Sequence, residues 1–161
     1  MLNCNDYILV TITRKGEYVE KYVRLLKENK LKVTPQRIKI LKYVDTHRTH
    51  PTADEIYSSL KKDIPSLSKT TVYNSLDILK KHGLIKALSI CGSEHRYDFK
   101  NDMHHHFLCK KCGRIYDIEF KCPNIKHIKG EIQSSGHHID EVHGYFIGTC
   151  NDCIKKWRNK K

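Results

Sequence analysis

Long apolar runs are missing from this 161-residue chain. The longest near its start, Ile8-Leu9-Val10, is too short for the core of a secretory signal, and no stretch approaches the roughly 20 residues of a membrane span. Repeats and low-complexity tracts are absent too. Acidic residues are scarce beside basic ones: 18 Asp and Glu stand against 30 Lys and Arg, a formal net charge of +12. That imbalance points to an anionic partner, most simply nucleic acid. The excess leans forward, with +8 in residues 1–100 and +4 in residues 101–161. No H-E-x-x-H occurs, and no obvious general base stands beside the histidines, so a zinc-dependent hydrolase has little behind it. The expectation is a cytoplasmic protein that is not an enzyme and has no membrane partner.

Seven cysteines are present, and in a secreted chain they would suggest disulfides. In a reducing cytoplasm their pattern points elsewhere. Cys109-Lys110-Lys111-Cys112 and Cys150-Asn151-Asp152-Cys153 are matched pairs with two residues between the thiols. Each pair reaches one ion from a tight turn, and four thiolates complete the closed tetrahedron that structural zinc prefers. The alternative is a redox dithiol pair or exposed free thiols. Cys4, Cys91 and Cys122 lack such partners and read as incidental. His104-His105-His106 adds a second kind of ligand, with His104 and His106 on one face of a strand and His105 on the other.

Local signals divide the chain. Residues 1–16 read as a tail. Tyr18, Tyr22, Leu25 and Leu26 lie near helical spacing within residues 17–29. Thr34-Pro35 caps a helix carrying Ile38, Leu41 and Val44, and Thr52 with Glu55 forms a capping box. Ser68 opens a helix over 69–82 that Gly83 ends, with Val72, Leu76 and Leu79 on one face. Strands over 84–90 and 95–99 then make a hairpin across Cys91-Gly92-Ser93. Helices followed by a hairpin are the pattern of a winged helix-turn-helix. Beyond residue 101, β-like runs at 106–108, 114–118 and 145–147 flank a helix over 123–134 ended by Gly136. The reading is an α+β chain: a winged-helix domain over 17–100 and a small α/β domain over 101–161, with a boundary near Lys100 to Met103.

Taken together, Thr34-Pro35-Gln36-Arg37, His50-Pro51-Thr52-Ala53-Asp54, Thr70-Thr71-Val72-Tyr73-Asn74, His104-x-His106 and the two CxxC pairs resemble the ferric uptake regulator family over roughly residues 20–155. The resemblance implies a homodimeric, metal-dependent transcriptional repressor whose C-terminal domain dimerises and holds zinc on Cys109, Cys112, Cys150 and Cys153. It implies a second, regulatory site for iron(II) or manganese(II) on His50, Asp98, His104, His106 and Asp117. Taken singly, His50 also reads as a loop residue, Asp98 as a partner of Arg96 or Lys100, and Asp117 as a surface strand residue. Aspartate at 98 and 117 and asparagine at 74 are most similar to the peroxide-responsive branch. There a ligand histidine is oxidised, which carries over to His50 or His104, and metal loss then frees the operator. An iron- or zinc-responsive uptake regulator is the alternative within the family. The third metal site of many relatives is not expected, because Met103, His105 and Val142 depart from its pattern.

Base reading is expected from the helix over 69–82. Tyr73 suits a thymine methyl or a phosphate, Asn74 an adenine edge, and Thr70 and Thr71 allow close approach. Arg37, Lys39 and Lys69 suit phosphates, and Arg96 on the wing suits the minor groove. Any one of these cations also reads as a solvated surface charge. A dimer would read an inverted repeat in double-stranded DNA, A/T-rich by resemblance.

Overall fold

A computed structural model describes residues 19–91, 94–99, 104–119, 125–139, 142 and 144–158. The expected tail, the hairpin turn Gly92-Ser93, the boundary at Lys100 to Met103, and Cys4, Cys122, Pro123 and His143 lie outside the described residues, as does the side chain of Cys91. The chain divides into two compact units, Met1–Asn101 and Asp102–Lys161.

The first unit opens with a helix, α1, described over residues 19–28. Next come α2 (Pro35–Thr46), α3 (Ala53–Leu60) and α4 (Lys69–Lys81), then the antiparallel hairpin β1 (Lys86–Cys91) and β2 (Glu94–Asp98). Each of α2 to α4 starts where its cap residue dictates. The Thr34 hydroxyl accepts from the Arg37 N–H with Pro35 in the first turn, and the Ser68 hydroxyl accepts from the Thr71 N–H. At α3 the box is complete: Glu55 N–H donates to Thr52 Oγ1 at 3.1 Å, and Thr52 N–H donates to Glu55 Oε2 at 2.8 Å. Gly83 ends α4 with φ of 68°, and Leu84 N–H turns back to the Leu79 carbonyl at 3.0 Å.

Val72, Leu76 and Leu79 from α4 join Ile40, Leu41 and Val44 from α2 and Tyr22 and Leu26 from α1 in one core. Burying each such aliphatic side chain contributes about 1.5–3 kcal/mol. Strand β1 begins two residues later than expected, because Leu84 and Ile85 are sunk into that core before pairing starts at Lys86. Along β2, Tyr97 faces the core, while Arg96 and Asp98 share the opposite face.

In the second unit β3 (His105–Cys109) is central, with β4 (Ile115–Ile118) antiparallel on one side and β5 (Tyr145–Gly148) parallel on the other. Helix α5 (Ile125–Ser134) lies between β4 and β5 in sequence, and Gly136 closes it with φ of 84°. A further helix, α6 (Asn151–Arg158), was not expected. Cys153, Ile154 and Trp157 lie at helical spacing, and Asp152 in the first turn with Lys155, Lys156 and Arg158 in the last matches the helix dipole.

Candidate metal centres and reading helix

Strand topology makes the sulfur cluster. Because β3 and β5 run parallel with Cys109 opposite Gly148, their C-terminal ends lie side by side. Cys109 ends β3, Cys112 follows in the turn towards β4, Cys150 follows β5, and Cys153 lies in the first turn of α6. Two segments some forty residues apart in sequence thus deliver thiols to one point. Sγ–Sγ separations are 3.9 Å for Cys109–Cys153 and 3.8 Å for Cys112–Cys150, and all four sulfurs lie within 4.8 Å of one another. A tetrahedron with zinc–sulfur bonds of about 2.3 Å has edges of about 3.8 Å. The donor set and its spacing therefore fit zinc, whereas a disulfide would need sulfurs about 2 Å apart.

The surroundings favour thiolate at Cys109 and Cys150. Cys150 N–H donates to Cys109 Sγ at 3.3 Å, and this bond leads in bringing Cys109 down to about 6. Cys150 is also lowered, first by Tyr116, which is itself pushed up to about 12 by Cys150. Cys153 is pushed up to about 12, chiefly by Cys150, as expected when neighbouring thiols compete for one negative charge. Arg114 donates to Cys112 Sγ at 3.4 Å and to Asp152 at 2.7 Å, placing a cation against the cluster. Sequence reasoning missed both Arg114 and Tyr116; each stands within five residues of Cys112, which is the signal that would have found them.

Each unit also gathers imidazole and carboxylate donors. In the second, the β3–β4 register sets His106 opposite Asp117. Asp117 Oδ1 is 3.3 Å from His104 Nε2 and 3.8 Å from His106 Nε2, and the two imidazole rings sit 4.4 Å apart. His105 points to the other side, its ring edge-on to Phe146. In the first unit His50 Nε2 lies 3.9 Å from Asp98 Oδ1, with both side chains almost fully buried. His50 adopts φ of 51°, a conformation costing a non-glycine residue on the order of 1–3 kcal/mol, so its surroundings must hold it. Two histidine–carboxylate groups, in which His50, Asp98, His104 and His106 are buried and Asp117 is partly exposed, have the donor chemistry of a borderline divalent cation such as iron(II), manganese(II) or zinc.

On α4 the residues expected to read bases are solvent-facing: Thr70, Tyr73 and Asn74 are exposed and Thr71 half-buried. The expected phosphate contacts have intramolecular partners in this state. Arg37 donates to the Lys32 carbonyl at 2.7 Å, Lys39 lies 3.3 Å from Asp63, and Lys69 lies 2.9 Å from Asp54, which raises the Lys69 pKa. Arg96 is mostly buried, 3.4 Å from the His50 carbonyl and 3.6 Å from Glu55.

A winged helix-turn-helix carried with a unit rich in thiol and imidazole donors defines a metal-responsive regulator. The profile described as the ferric uptake regulator family matches residues 28–145, and the chain belongs to that family. It is 36% identical over 143 residues to the peroxide-responsive repressor PerR of Staphylococcus aureus (strain Mu50 / ATCC 700699), covering 86% of this chain and 93% of the relative. Its structure resembles that of the Campylobacter jejuni peroxide stress regulator (32% identity, TM-score 0.64, 81% and 98% of the two chains). It likewise resembles the Helicobacter pylori ferric uptake regulator Fur, described as having three functional metal binding sites (25% identity, TM-score 0.67, 86% and 93%).

Proposed function

We propose that this protein is a DNA-binding repressor that senses peroxide through a regulatory metal, with zinc on Cys109, Cys112, Cys150 and Cys153 serving structure alone. The observation that carries the reading is the pair of histidine–carboxylate groups, His50 with Asp98 and His104 with His106 and Asp117, one in each unit. Two donors and three donors sum to the five that a six-coordinate cation would accept while keeping one position for peroxide. We assign both groups to one ion, iron(II) or manganese(II). Bound iron(II) would supply the electrons that reduce peroxide. The protein's part is to hold the cation with neutral imidazoles and two carboxylates, and to present His50 or His104 as the side chain that takes up oxygen. An oxidised imidazole is a poorer ligand, so the two units lose their common tie.

Support for peroxide over simple metal supply comes from Asp98 and Asp117, from Asn74, and from the likeness to peroxide-responsive relatives. Thr70, Thr71, Tyr73 and Asn74 are assigned to base edges, and Arg37 and Lys69 to phosphates, with Arg37 and Lys69 exchanging internal partners for DNA. A homodimer on an A/T-rich inverted repeat would use two such helices. Exposed Tyr145, Phe146 and Ile147 on edge strand β5 support self-association.

The test is operator binding by zinc-loaded protein given iron(II) or manganese(II), before and after micromolar-scale peroxide. The iron form should release DNA and gain one oxygen on a peptide containing His50 or His104, while the manganese form should stay on DNA and gain none. Oxygen on cysteines alone would sink the mechanism. The second reading, an iron- or zinc-responsive uptake regulator, draws on the likeness to the Helicobacter pylori protein. It predicts metal-dependent binding that peroxide leaves unchanged.

A further inference from the structure

The wing strand and the His50 loop are bolted together by one arginine. Residues 50–52 lie along β2 almost as a third strand: Tyr97 N–H donates to the Pro51 carbonyl at 3.0 Å, and Thr52 forms an antiparallel bridge with Arg96. Arg96 Nη1 donates to the His50 carbonyl at 3.4 Å and stands 3.6 Å from Glu55 Oε2. That same Glu55 oxygen closes the capping box of α3 by accepting from Thr52 N–H. The guanidinium therefore touches, at once, the peptide of a buried histidine in a left-handed conformation and the cap of the first helix of the turn motif. Asp98 leaves the strand on the same face two residues later, and its carboxylate stands 3.9 Å from the His50 ring.

We infer that Arg96 is the positioning residue for His50, fixing that imidazole relative to Asp98 so that the first unit offers the regulatory cation a preformed pair of donors. This rests on the reading of His50 as a metal ligand. It also gives Arg96 a different task from the minor-groove contact expected of a wing arginine. Strand alternation sends its side chain with Asp98 towards the loop, and four-fifths of that side chain is buried. Groups outside the coordination sphere that orient a ligand typically change metal affinity about 10- to 100-fold when removed. Arg96 acts on the peptide of His50 and not on its ring, so the low end applies. Both contacts come from the same nitrogen, so lysine replaces arginine only in part: its stem is one bond shorter, and no planar guanidinium holds its ammonium at that point.

The experiment is a manganese(II) titration of the zinc-loaded full chain, without DNA, on the wild type, Arg96→Met, Arg96→Lys, His50→Ala and the double variant Arg96→Met/His50→Ala. Arg96→Met should weaken manganese(II) about tenfold and Arg96→Lys about threefold. Zinc content should stay constant, and once His50 is alanine the Arg96→Met change should cost nothing more. A role confined to DNA phosphate would leave these DNA-free titrations unmoved, and a general folding role would weaken binding equally in the His50→Ala background. Either result overturns the inference. Should Arg96→Met fail to fold, Arg96→Lys with and without His50→Ala completes the same cycle. A wild type that ignores manganese(II), or that His50→Ala matches in affinity, defeats the ligand reading itself. A His50→Ala effect without an Arg96 effect defeats only the positioning role.

Discussion

Sixteen apolar side chains in the N-terminal unit close into a single cluster, whereas in the C-terminal unit the buried apolar side chains among the described residues are Cys109, Ile115 and Cys150. Two of those three are sulfurs of the thiol cluster. The exposed large apolar residues divide the other way. Among the described residues, Ile132, Tyr145, Phe146, Ile147, Ile154 and Trp157 belong to the C-terminal unit, and Val19 and Tyr73 to the N-terminal one. The contrast shows two ways of holding about a hundred and about sixty residues in shape. The larger unit closes a helical core by burial. In the smaller, the proposed coordination and self-association would stand in for a core that the described side chains of β3, β4 and β5 do not supply.

The largest consequence is metal dependence confined to one unit. Stripping all metal, or replacing Cys109 by Ser, should remove amide-exchange protection from β3, β4 and β5 while α2 and α4 keep theirs. Zinc contributes about 10–16 kcal/mol of apparent free energy in small thiolate sites, far more than so few buried groups provide. Protection retained in β3 after stripping would show that the sheet stands without its ion. The converse change is Leu76→Ala in the fully buried centre of α4. It should cost the N-terminal unit about 2–5 kcal/mol in a denaturant titration and leave zinc content unchanged.

How much of this was legible in the sequence follows the range of the interactions. Thr34-Pro35, Thr52 with Glu55, Ser68 and Gly83 act over a few residues, and each cap stands where its chemistry requires. The CxxC pairs were legible because their inner spacing is local, and the parallel register of β3 and β5 then unites them. Helix α6 was overlooked because its short apolar stripe, Cys153, Ile154 and Trp157, begins inside the second cysteine pair, whose spacing points to metal. Asp98 had Arg96 or Lys100 as its nearest partners in sequence, yet the residue beside it is His50, forty-eight positions earlier. Arg96 looked like a wing cation because nothing local reveals that the 50–52 loop crosses β2. Contacts made by chain crossing leave no periodic trace, and the His50–Asp98 pair depends on one such crossing.

The smallest effect separates the two units most cleanly. Thr52→Ala removes the hydroxyl that accepts from Glu55 N–H, while the Glu55 side chain still satisfies the backbone N–H of residue 52. Half of the box survives, so the cost should be about 1 kcal/mol, within the usual range for a lost N-cap. The cap lies in the unit that folds by burial. Its cost, read as the shift in the urea midpoint of the helical signal at constant slope, should therefore be the same in zinc-loaded protein and in protein stripped of all metal. A cost that grows or vanishes on stripping would mean that the thiolate-bound ion stabilises α3 as well, and that the two units share one folding transition.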